Sequence, residues 1–163
     1  MKTLAPMIRT ALTVFVLDQI TKLVVVHAYD LKNIGFMEVW DPFLNFRMAW
    51  NEGINFGIPL GNKWILIALA LAICVWIVWW MARERPGSWV QMSAGLVLGG
   101  AVGNVIDRVV YGAVADFLNM SCCGWENPWS FNVADIAIFA GALGLIFLTG
   151  GEKPQKPPAA EKP

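Results

Sequence analysis

The chain has 163 residues, of which 57% are hydrophobic and 15% charged, with a mean hydropathy of +0.55. A soluble domain carries about a quarter charged residues, so this composition belongs to an integral membrane protein. Twelve basic residues balance twelve acidic ones, leaving no cationic surplus to hold a nucleic acid and excluding that class of partner.

In chain order, Lys2 and Arg9 precede a first apolar run over about 8–26. The run carries Asp18 and Lys22 and lacks a small-residue cleavage site, so it reads as a retained span and not as a leader. Asp18 and Lys22 stand at i and i+4, the favourable order for an ion pair on one helix face, and read as a structural pair. His27 closes the span as an interfacial residue, with no serine or second histidine patterned for nucleophilic chemistry.

The segment 27–63 is more than a linker. In "FLNFRMAW", Leu44, Phe46, Met48 and Trp50 alternate with Asn45, Arg47 and Ala49, the period of a half-buried strand. "MEVWDP" supplies a partner strand and a turn at Asp41-Pro42. Such a hairpin caps the helices or lies along the membrane surface.

A second span covers 64–82, with Cys74 as a small hydrophobe and Trp76, Trp79 and Trp80 as an interfacial belt. After the turn "RERPGS", a third span covers 89–110. Gly95, Gly99 and Gly103 are four apart, a stripe for close helix packing. Asn104, Asp107 and Arg108 share one face at i, i+3 and i+4. Residues 111–130 hold Asp116 in "YGAVADFLN" with no periodicity that decides between helix, strand and loop. Cys122 and Cys123 are adjacent, which predicts no disulfide pairing, and they lack the spaced partners of a metal site.

A fourth span covers 131–148, with Asn132 and Asp135 in its first two turns. The proline- and lysine-rich tail 151–163 has nothing to bury and is expected to be disordered. Four spans approach the ~20 apolar residues a membrane helix needs. Basic residues flank both chain ends and the 83–88 turn, so these face the cytoplasm and 27–63 and 111–130 face outward. The expected organisation is one membrane-embedded domain over 1–150 followed by the tail.

This topology puts Asp18, Lys22, Asn104, Asp107, Arg108, Asp116, Asn132 and Asp135 in one layer at the outer leaflet. An ionisable residue in a span is a functional hypothesis by default. Two carboxylates in a poorly hydrated site cannot both ionise comfortably, so one keeps its proton and the pair supplies an acid beside a base. Asp116 and Asp135 are one pairing among four candidate aspartates, Asp18 and Asp107 being the others. Two further classes stand against a protease. A proton-coupled transporter would spread its polar groups over several depths. A purely structural protein would use them as glue between helices and leave 27–63 without a task.

Together these motifs resemble lipoprotein signal peptidase, or signal peptidase II, the bacterial membrane aspartyl protease family. "LDQITK", "NEGINFG", "GGAVGNVIDR", "VADF" and "FNVAD" resemble its five segments in order. Asn55 departs from the small residue the second segment often holds, which implies a changed pocket lining. The resemblance implies a bundle of four transmembrane helices with a small extended β cradle on the outer (periplasmic) side. It implies that Asp116 and Asp135 are catalytic, that Asn51, Asn104, Arg108 and Asn132 position substrate, and that Asp18, Lys22, Gly53 and Asp107 support the site. The implied substrate is a diacylglyceryl-modified prolipoprotein, cut on the amino side of its lipidated cysteine. Membrane lipid is the other partner, and neither metal, cofactor nor obligatory protein partner is implied.

Overall fold

The structure is a computed structural model that describes residues 3–53 and 62–150. Helix α1 (Ala5–Lys22) opens with Pro6 in its first turn, where the missing N–H costs nothing, and runs on through a π-helical turn over Leu23–Ala28. A four-residue helix α2 (Leu31–Ile34) leads into strands β1 (Phe36–Trp40) and β2 (Leu44–Asn51). Helix α3 (Lys63–Glu84) is capped by Asn62, whose side chain accepts from the Trp64 N–H, and ends at Arg85 in the left-handed region. Helix α4 (Ser88–Val110), strand β3 (Val114–Met120) and helix α5 (Val133–Thr149) complete the chain.

Small residues decide which helix is central. A methyl group at Gly95 would lie 2.5 Å from the Met7 carbonyl oxygen, and one at Gly103 would lie 2.6 Å from Asp18 Oδ2. The glycine stripe therefore seats α1 directly against α4. On another face of α4, Gly100 lies equally close to the Ala134 carbonyl, and Gly141 of α5 approaches the Ser93 carbonyl. Thus α4 packs against α1, α5 and α3. Helix α3 leaves Leu69, Ile73, Val75 and Trp76 uncovered, as a lipid-facing helix does.

The strands form an antiparallel sheet in the order β1-β2-β3. Phe46 and Met48 of β2 pack down on Val25, Val26, Leu31, Ala115 and Phe117 at one end of the bundle. A bulge between Phe46 and Ala49 interrupts the alternation of β2, and beyond it Ala49 stands opposite Asp116 and Asn51 opposite Val114. The expected hairpin is present, with three turn residues over 41–43. The third strand, which carries Asp116, had no signal in the sequence: pairing with β2, through Ala49 opposite Asp116, creates it.

Among the described residues, three helices, Ala5–Ala28, Lys63–Glu84 and Ser88–Val110, are long and apolar enough to cross a membrane, and the apolar α5, in the place of the fourth expected span, has 17 residues. One expectation is overturned. Cys122 and Cys123 are joined to each other in a disulfide. Adjacency argued against that bond, but a left-handed Cys123 and a bridge from Cys122 to Trp125 fold the loop tightly enough to allow it. Residues 54–61, with Asn55, Phe56 and Gly57 of the second motif, lie outside the described residues, as does the tail.

Candidate active site

At the sheet end of the bundle, four elements deliver polar side chains to one place. Asn132 begins α5 and Asp135 is three residues on, the spacing of a capping box. The Asn132 side chain accepts from the Asp135 N–H at 2.9 Å, and Asp135 Oδ2 accepts from the Asn132 N–H at 3.2 Å. The second Asp135 oxygen accepts from Asn104 Nδ2 of α4 at 2.9 Å. Asp135 is thus held at the positive end of a helix by donors alone.

Asp116 reaches the same asparagine from the sheet. Its Oδ1 accepts from Asn132 Nδ2 at 2.6 Å, and its Oδ2 accepts from Asn51 Nδ2 at 3.0 Å. Asn132 therefore touches both carboxylates, one through its side chain and the other through its backbone. Asn51 is fixed in turn by Gly53, whose N–H donates to Asn51 Oδ1 at 3.0 Å while its φ of +105° suits glycine. Burial, and then the negative charge of Asp135, push the Asp116 carboxyl up to about 7.

A second cluster adjoins the first. Lys22 Nζ lies 2.8 Å from Asp18 Oδ2 and 2.7 Å from Asp107 Oδ2, and all three residues are buried. The other Asp18 oxygen accepts from the Ala134 N–H at 3.0 Å, and Asp107 Oδ2 also accepts from the Ala115 N–H at 3.1 Å. Each carboxylate therefore grips the backbone residue just before a candidate catalytic aspartate. Gln19 Nε2 joins Asp18 at 3.1 Å to Asp107 at 3.4 Å. Helical spacing hid Gln19, because it lies next to Asp18 in sequence and off the Asp18–Lys22 face. Its polarity inside an apolar run was the available signal.

Asn104 links the clusters, since its Oδ1 receives Asn132 Nδ2 at 3.3 Å and Lys22 Nζ at 3.5 Å. Arg108 is turned back on its own helix, with Nη1 donating to the Asn104 carbonyl at 3.3 Å and a buried Nε left without a partner. His27 contacts the Tyr111 hydroxyl at 3.1 Å and stays outside both clusters. Among the described residues, no group of histidine, cysteine or acidic side chains is arranged to hold a metal ion.

The family profile of signal peptidase (SPase) II matches residues 10–149. The chain belongs to the signal peptidase II family. It is 38% identical to the lipoprotein signal peptidase of Methylobacterium radiotolerans over 91% of this chain and 89% of that protein. Against the lipoprotein signal peptidase of Methylobacterium sp. (strain 4-46) the identity is 41%, over 86% of each chain. A bacterial membrane enzyme solved by the in meso method at 1.9 Å superposes with a TM-score of 0.78 and 28% identity, covering 90% of this chain and 94% of the other. A second such structure, at 2.3 Å, gives a TM-score of 0.76 at 28% identity, covering 92% and 93%. Membership makes the chain an aspartic peptidase of membranes, acting in the cleavage of prolipoprotein signal peptides.

Proposed function

We propose that this signal peptidase II removes the signal peptide from diacylglyceryl-modified prolipoproteins, cutting on the amino side of the lipidated cysteine with Asp116 and Asp135 as its dyad. The observation that carries the proposal is the single asparagine, Asn132, bonded to both carboxylates at the buried junction of β3 and α5.

Asp135, surrounded by N–H donors at a helix start, is the ionised member and takes a proton from the attacking water. Asp116, raised toward neutrality by burial, keeps its proton, supports the oxyanion and then protonates the leaving nitrogen. Asn51, Asn104 and Asn132 hold the two carboxylates in register, so their contribution is positioning. Arg108 brings donors that the bundle leaves unspent, suited to a substrate carbonyl.

The same reading assigns α5 as a fourth span, for which its outward Phe139, Ile146 and Phe147 speak. It puts the sheet end on the outer face of the cytoplasmic membrane, both termini in the cytoplasm, and residues 1–150 in one catalytic domain with a cytoplasmic tail. At that depth the acyl chains of a lipidated cysteine remain in the outer leaflet while its peptide bond meets the dyad. Purified protein in detergent is expected to cleave a diacylglyceryl-modified precursor and to leave the unmodified one intact. Equal cleavage of both would remove the lipid from the recognition scheme.

A further inference from the structure

Helix α1 supplies neither carboxyl of the proposed dyad, yet it helps to fix the backbone beside both. The Ala134 N–H donates to Asp18 Oδ1 at 3.0 Å, and the Ala115 N–H donates to Asp107 Oδ2 at 3.1 Å. Both alanines are buried, and each directly precedes a dyad residue. The Ala115 carbonyl also receives Asn132 Nδ2 at 3.4 Å, so Ala115 is tied to α4 through its N–H and to the start of α5 through its carbonyl. Whatever sets the spacing of Asp18 and Asp107 therefore sets the spacing of the strand and the helix from which Asp116 and Asp135 project.

Two donors span that gap. Lys22 Nζ lies between Asp18 Oδ2 and Asp107 Oδ2 and offsets the repulsion of two buried charges. An ammonium is a compact charge with rotatable donors, so it compensates a carboxylate without fixing the carboxylate plane. The terminal torsion of an aspartate is broad, and Asp107 held through Oδ2 alone is free to swing about it. Gln19 removes that freedom. Its Nε2 donates to Asp18 Oδ2 at 3.1 Å and to Asp107 Oδ1 at 3.4 Å, and among the described residues no other hydrogen bond reaches Asp107 Oδ1. With Oδ1 tied to Gln19, Oδ2 is the oxygen left to take the Ala115 N–H. The seam has little slack to replace this bond, since Gly103 of α4 stands so close that a methyl group there would lie 2.6 Å from Asp18 Oδ2.

Resting on the proposed function, we propose that Gln19 is a positioning residue of the peptidase: it fixes the Asp107 carboxylate against Asp18 and, through Ala115 and Ala134, holds the Asp116 and Asp135 carboxyls at their working separation. Gln19 itself touches no reacting atom, so its loss lets the two carboxyls drift apart without removing a substrate contact. The charges that act on Asp116 are Asp135 of α5, Lys22 of α1 and Arg108 of α4, while β2 brings the neutral Asn51. Gln19 is uncharged and changes the titration of Asp116 only by moving these groups. A more distant Asp135 raises the Asp116 carboxyl less.

The test measures cleavage of a diacylglyceryl-modified precursor by the full chain in detergent, per folded enzyme, for the wild type, Gln19→Met and Gln19→Asn. Gln19→Met keeps the length of the side chain without the donor. It should lower kcat about tenfold with KM within about twofold. The descending limb of its kcat/KM profile should lie about half a pH unit lower. Gln19→Asn, its amide one methylene short, should move both readings in the same direction by less. A kcat and a limb at wild-type values in folded Gln19→Met overturn the assignment. So does a limb that stays in place in every folded variant, since a merely structural contact would lower only the melting temperature. If Gln19→Met yields no folded protein, Gln19→Asn decides by the same two readings. A wild type that leaves the modified precursor uncut overturns the peptidase reading itself, whereas wild-type cleavage matched by every variant overturns only the role of Gln19.

Discussion

Two polar clusters lie side by side under the sheet, each built on a pair of buried or half-buried aspartates, and one cation separates their chemistry. Asp18 and Asp107 share Lys22, so their charge is compensated and every oxygen is spent on the lysine, Gln19 or a backbone N–H. Among the described residues, Asp116 and Asp135 accept hydrogen bonds from asparagine amides and a backbone N–H, with no ammonium or guanidinium in bonding range. A compensated pair is inert and rigid. An uncompensated pair in a poorly hydrated place must retain a proton, which is the condition for paired acid–base work. The first cluster also carries the second, because Asp18 and Asp107 clamp the backbone at Ala134 and Ala115.

The largest expected effect comes from removing either ionisable group of the uncompensated pair. Asp116→Asn and Asp135→Asn should each lower kcat by about 10³-fold or more, with the detergent-solubilised protein still folded by circular dichroism. If one variant kept most of its turnover, the two clusters would have to exchange roles. Lys22→Met attacks the other side. It strands two buried carboxylates and should cost about 3–5 kcal/mol in a denaturant titration. Loss of activity with full stability would break the division drawn above.

A sharper probe turns the second cluster into the first. Asn51→Lys would give Asp116 a cation, and kcat/KM should fall about 10²-fold as the shared proton is lost. In the wild type, the descending limb of the kcat/KM profile should lie near pH 7, the value to which burial and Asp135 raise Asp116. In Asn51→Lys that limb should move to lower pH. An unmoved limb would mean that another group governs it.

The smallest effect concerns stability. A carboxyl raised from 3.8 to about 7 in the native state costs nothing when both folded and unfolded forms are protonated, at pH below 3.8. As pH rises through that window the unfolded chain ionises first, so Asp116 progressively destabilises the fold. Asp116→Asn should therefore melt a few degrees above the wild type at pH 8, by about 2–5 °C, and level with it near pH 4. A variant less stable than the wild type at pH 8 would assign Asp116 a structural role.

Much of this was legible in the chain itself. Apolar runs, the glycine spacing at Gly95, Gly99 and Gly103 and the alternation over 43–50 are local periodicities, and local periodicity follows from backbone geometry alone. The i, i+3 pair Asn132–Asp135 likewise became a capping box. Tertiary pairing decided what no periodicity encodes: that 114–120 is a strand, that Gln19 bridges Asp18 and Asp107, and that Cys122 bonds its neighbour. It also decided that Lys22 compensates Asp107, a residue on a different helix, as well as Asp18. That choice separates the structural aspartates from the reactive ones. It depends on side chains 80 or more residues apart meeting across the α1–α4 seam, where glycine lets the helices close.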